Sequence, residues 1–114
     1  MALNDLYGPF ALTDEAIDQE VRQRQPGAYL LEESTDLVDL RSVYVGRSDT
    51  DLNNQLHVHV GSYKLFWYEC CFSAQAAFTK ECALYHDFEP SDNPVHPRRP
   101  AGTDWKCPRC SLFG

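Results

Sequence analysis

The sequence predicts an α+β fold, a small three-stranded antiparallel sheet flanked by helices. Three observations point there. The 114 residues suffice for one core and one domain. Short apolar runs bounded by glycine, proline and polar clusters read as strands, and between them apolar residues recur at helical spacing behind Ser, Thr or Asp caps. Strand, strand, helix, strand and helix in that order pack as a sheet with helices laid on it.

Residues 1–12 show no periodicity and are expected to run over the surface as an extended arm. Thr13 then caps a helix with Asp14 and Glu15 in its first turn, where the helix dipole favours acids, and Ala16, Ile17 and Val21 form its apolar stripe. Pro26-Gly27 ends it. Ala28 to Leu31 and Val43 to Val45 read as two short strands joined by an acidic loop of roughly ten residues, long for a hairpin. The acids Glu32, Glu33, Asp36 and Asp39 of that connection would repel phosphate, which keeps it away from any anionic substrate. After Gly46 the segment Ser48-Asp49-Thr50-Asp51 offers caps for a short helix carrying Leu52, Leu56 and Val60, stopped by Gly61. Lys64 to Phe72, apolar and aromatic on both alternating faces, reads as the central strand. Ser73 caps the last helix, with Ala77, Phe78, Leu84, Tyr85 and Phe88 as its core stripe, ending near Asp87. Pro90, Pro94, Pro97 and Pro100 then end regular structure. The organisation is an arm and helix (1–26), a core (27–93) and a proline-rich tail (94–114) of a single domain.

Apolar residues make up 43% of the chain, and the longest mainly apolar run, Leu65 to Phe72, is too short for a bilayer, so no membrane partner is expected. The first residues lack the basic start and long apolar stretch of a secretion signal, which makes a reducing cytoplasm the expected compartment. Net charge is −7, unevenly placed: residues 1–60 hold 11 acids and 4 bases, residues 61–114 hold 6 of each. Tight non-specific DNA binding is disfavoured by the total. Arg98, Arg99, Lys106 and Arg109 in the tail face one acid, Asp104, so attraction for a phosphate backbone should concentrate there.

Five cysteines, an odd number, include a Cys107-Pro-Arg-Cys110 pair with the spacing of a zinc knuckle. Two further ligands are needed. Cys82 and His86 lie four apart on one helix face and complete the expected zinc set; His96 competes with His86, while Cys70 and Cys71, adjacent on a strand, point to opposite faces. Zinc there would supply folding energy to a tail with few apolar residues.

Glu81 lies on or beside the apolar face of the last helix, where a carboxylate needs a cation or hydrogen bonds unless it reaches solvent at the stripe's edge. Gly27-Ala28-Tyr29 and Tyr44-Val45-Gly46 stand on the first two strands, followed in order by Leu52 and Leu56, His59, Glu81 and Pro90-x-x-Asn93. In these landmarks the chain, from about Gly27 to Asn93, resembles the GIY-YIG nucleases. The resemblance implies a metal-dependent DNA endonuclease: Tyr29 or Tyr44 orients or deprotonates the attacking water, Glu81 holds magnesium or manganese on the phosphate, and Asn93 positions its neighbours. No small-molecule cofactor is implied. A tyrosine of ordinary pKa near ~10 needs a cation close by to act as a base.

One departure stands out. Gln55 occupies the place of the family's catalytic arginine, and losing that cation costs roughly 3–4 kcal/mol of transition-state stabilisation. Arg47, beside a helix start, is a partial substitute or a solvated surface arginine; His59 is a site residue or a packing residue. The alternative reading is therefore a catalytically inactive module of the same fold that binds nucleic acid or a protein partner.

Overall fold

In the computed structural model, which describes residues 6–33, 43–90 and 92–113, four strands form one antiparallel sheet. They are β1 (Tyr7–Ala11), β2 (Gly27–Glu32), β3 (Val43–Ser48) and β4 (Leu65–Cys70), in the spatial order β1-β4-β2-β3. Three helices, α1 (Asp14–Glu20), α2 (Leu52–Val58) and α3 (Ala74–Phe88), complete the α+β architecture. Each begins at the residue type the sequence marks: the side chains of Thr13, Asp51 and Ser73 accept from the backbone N–H groups of Ala16, Asn54 and Ala76. Among the described residues no helix is long and apolar enough to cross a membrane.

The expectation of three strands is corrected to four. The segment read as a surface arm holds β1, which pairs with β4 through Phe10 opposite Phe66 and Ala11 opposite Leu65, with Leu6 and Leu12 buried beside it. Gly8-Pro9 hid it. Pro9 brings no N–H to the ladder and the register shifts between Tyr7 and Phe10, disruptions an edge strand tolerates. Glu32 is corrected as well: it is the last residue of β2, buried, with the Trp67 indole donating to its Oε1. The acidic connection at 34–42, with Asp36 and Asp39, lies outside the described residues.

Alternation along β2 builds two cores. Tyr29 and Leu31 pack with Ile17, Val21, Leu52, Leu56 and Phe66 under α1 and α2. Ala28 and Leu30 face the other way, joining Val43, Val45, Trp67 and Leu84 of α3. Both faces of the sheet are covered, so β2 is buried throughout. β3, with α2 behind one face and α3 behind the other, is the outer strand, and the segment after α3 closes its edge: the Asp92 N–H donates to the Val43 carbonyl at 3.2 Å, and the Asn93 side chain bonds both backbone groups of Val45.

Candidate functional site

At the edge of β3 the two faces of the sheet meet around a cavity of about 230 Å³ lined by Tyr29, Tyr44, Gly46, Arg47, Asp49, Gln55, Glu81 and Arg98. Period-two alternation explains the gathering. Tyr44 and Gly46 lie on the α2 side of β3, and Arg47 lies on the α3 side, its guanidinium over the Phe78 ring at 5.1 Å. Gln55 comes from α2 and Glu81 from α3.

Glycine at two strand positions is a steric requirement. Tyr29 pairs with Gly46 across the β2–β3 ladder, and a Cβ on Gly46 would lie 2.5 Å from the Tyr29 hydroxyl oxygen. The tyrosine ring therefore lies over the glycine and brings its hydroxyl to the cavity. A Cβ on Gly27 would meet the Glu69 carbonyl oxygen and Leu52 Cδ2, each at 2.6 Å, so that glycine lets α2 close on the sheet.

On the α2 side the Tyr29 hydroxyl and His59 Nε2 are 2.9 Å apart, and Gln55 donates to the same hydroxyl at 3.5 Å. His59, the residue capping α2, also lies against Tyr44, ring centres 5.0 Å apart. Burial pushes the Tyr29 and Tyr44 phenols up and holds His59 below the ordinary imidazole range, so near neutral pH the phenols keep their protons and the imidazole is uncharged. On the α3 side Arg47 Nη1 donates to Glu81 Oε1 at 2.5 Å, Nε to Asp49 at 2.8 Å and Nη2 to the Arg98 carbonyl at 2.7 Å. Burial pushes the Glu81 carboxyl up and Arg47 beside it pulls it back.

The structure thus brings together Tyr29, Tyr44, Arg47, Gln55 and Glu81, with His59 behind the tyrosines. Asn93 stays outside the cavity lining, its amide spent on the Val45 backbone. Asp49 is the lining residue that sequence reasoning missed. It stood among several possible caps, but Asp51 caps α2 and Ser48 Oγ accepts from the N–H groups of Thr50 and Asp51, leaving Asp49 to Arg47.

Of the tail bases, Arg98 is exposed at the cavity and Lys106 is exposed elsewhere, whereas Arg99 donates to the Trp105 carbonyl and lies over Phe113, and Arg109 pairs with Asp87 at 2.5 Å. Arg99 is thus tied within the tail, and Arg109 ties the tail to α3.

The expected zinc ligands are regrouped. Side-chain donor atoms of His86, His96, Cys107 and Cys110 lie within 4.8 Å of one another, a set that can hold a metal ion. His96 stands where Cys82 was expected; Cys82, fully buried on α3 beside Phe78 and Cys107, lies outside that set. All five cysteines are free thiols, Cys70 and Cys71 among them.

Compared with known proteins, the chain matches no family model, no curated protein and no solved structure.

Proposed function

We propose that this chain hydrolyses phosphodiester bonds in DNA with the help of a divalent cation, in the manner of the GIY-YIG nucleases it resembles. The observation that carries the reading is the convergence of two phenols, a guanidinium, an amide and a carboxylate from four separate elements on one small polar cavity. Packing alone does not need that combination.

The arrangement suits a proton relay better than a tyrosinate base. A phenol whose ionisation is opposed by burial does not start as the base, but Tyr29 touches an uncharged imidazole. With its hydrogen on Nδ1, His59 takes the Tyr29 proton on Nε2 as Tyr29 oxygen takes a proton from water. The water oxygen bonds to phosphorus, the bond from phosphorus to the departing oxygen breaks, and solvent protonates that oxygen. Tyr44, stacked on Tyr29 at 6.3 Å, borders the same space.

A hard cation takes oxygen donors, and the cavity offers the carboxylates of Glu81 and Asp49 with the phenol oxygens of Tyr29 and Tyr44 beside them. Magnesium or manganese, when bound, would neutralise charge on the phosphate oxygens. Arg47 supplies the remaining positive charge in the place the family gives to an arginine at position 55, and the exposed Arg98 draws the DNA backbone toward the cavity.

A second reading, a binding module without turnover, rests on Gln55 being neutral and on Arg47 being shared between two carboxylates. Conversion of supercoiled plasmid and branched DNA with magnesium or manganese separates them. The nuclease reading expects cleavage that rises in Gln55→Arg. DNA retention with no cleavage in either protein would leave the binding module.

A further inference from the structure

Away from the cavity, the tail folds back on the end of α3 and gathers two imidazoles and two thiols in one place. His86 Nε2 is buried and has no hydrogen-bond partner among the described residues. A bare buried nitrogen is unfavourable unless a ligand satisfies it. His96 Nδ1 lies 2.9 Å from the Pro97 carbonyl, a contact that favours a ring hydrogen on Nδ1 and turns Nε2 toward a ligand role, and that Nε2 is 3.4 Å from Cys110 Sγ. The Arg109 N–H donates to Cys107 Sγ at 3.4 Å, the backbone contact a thiolate in a Cys-x-x-Cys turn accepts. With His86 these atoms all fall within 4.8 Å of one another. Ligands about 2.0–2.3 Å from a tetrahedral zinc lie about 3.3–3.8 Å apart, so the group needs only a small contraction.

We propose that His86, His96, Cys107 and Cys110 bind one zinc ion, and that this centre fastens the tail against the cavity. Two imidazoles and two thiols suit zinc and leave no open position, which makes the site structural. The fastening follows from chain continuity. His96 is two residues before Arg98, whose carbonyl accepts from Arg47, and Arg99 is tied to Trp105, two residues before Cys107. The metal thus fixes both ends of a loop that touches Arg47. The zinc centre stands whether or not the cavity cleaves DNA.

Metal analysis of the untagged chain should give about one zinc per molecule, and its X-ray absorption should show two sulfur and two nitrogen neighbours. His96→Ala and Cys110→Ser should each lower zinc content at least tenfold under mild chelation, whereas Cys82→Ala should keep it. Chelation should speed tryptic cleavage after Arg98 at least tenfold, and returned zinc should restore protection. No zinc, iron in its place, or a shell of three sulfurs would overturn the site; so would zinc retained by His96→Ala. Proteolysis unchanged by zinc removal would overturn the fastening.

Discussion

Arg47 donates to Glu81 at 2.5 Å, and the two side chains are only 13% and 12% exposed, joining β3 to α3 where the two faces of the sheet meet. Removing the arginine leaves a carboxylate with burial opposing its charge. Arg47→Ala is therefore expected to lose about 2 kcal/mol at neutral pH, less than a fully dry pair because the cavity admits water. The sign with pH is distinctive. A Glu81 pKa raised above its unfolded value means the protonated form is favoured in the fold, so the missing stability is present below the ordinary carboxylate pKa and is lost as pH rises through the folded value. Denaturant titrations of Arg47→Ala at pH 4 and pH 7 should show the deficit shrinking at the lower pH.

Asn93 gives a different expectation. Its amide accepts from the Val45 N–H at 3.2 Å and donates to the Val45 carbonyl at 2.5 Å, continuing the ladder on the open side of β3. Asn93→Ala should cost roughly 1–2 kcal/mol of stability. It should not abolish whatever chemistry the cavity performs, and activity measured well below the melting temperature checks this.

His57 links α1 to α2. Its ring nitrogens lie 2.6 Å from Asp14 and 2.8 Å from Asp18, and those hydrogen bonds raise its pKa. Stability from this contact is fully present below the unfolded imidazole pKa and is lost as pH rises through the higher folded value. Melting temperature should therefore fall across that window, and His57→Gln should flatten that part of the profile.

Much of the fold was legible because local rules and tertiary packing agree. The three caps, the alternation in β2 and the stripe of α3 are each written in a few consecutive residues. β1 was not, since a proline inside five residues breaks the pattern that would announce it, and only pairing with β4 makes it a strand. The cavity residues were reached through spacing that resembles a family, and the contact of Tyr29 with Gly46 gives one of those spacings a steric reason. Asp49 was missed, and His96 was read only as a rival to His86, for another cause: which of several caps holds a helix, and which side chains meet a pair of thiols, depends on where separate segments dock.

The central claim is that the cavity between Tyr29, Arg47 and Glu81 performs metal-dependent DNA hydrolysis, and the most direct measurement is single-turnover cleavage of end-labelled branched and duplex DNA in manganese. The comparison is between the chain and Glu81→Gln, which keeps the volume and a hydrogen-bond acceptor for Arg47 while removing the charge. The account predicts cleavage by the first and a loss of at least a hundredfold in the second, both folded to the same extent by circular dichroism. Equal rates in the two proteins, or no cleavage by this chain, with or without Gln55→Arg, would contradict it.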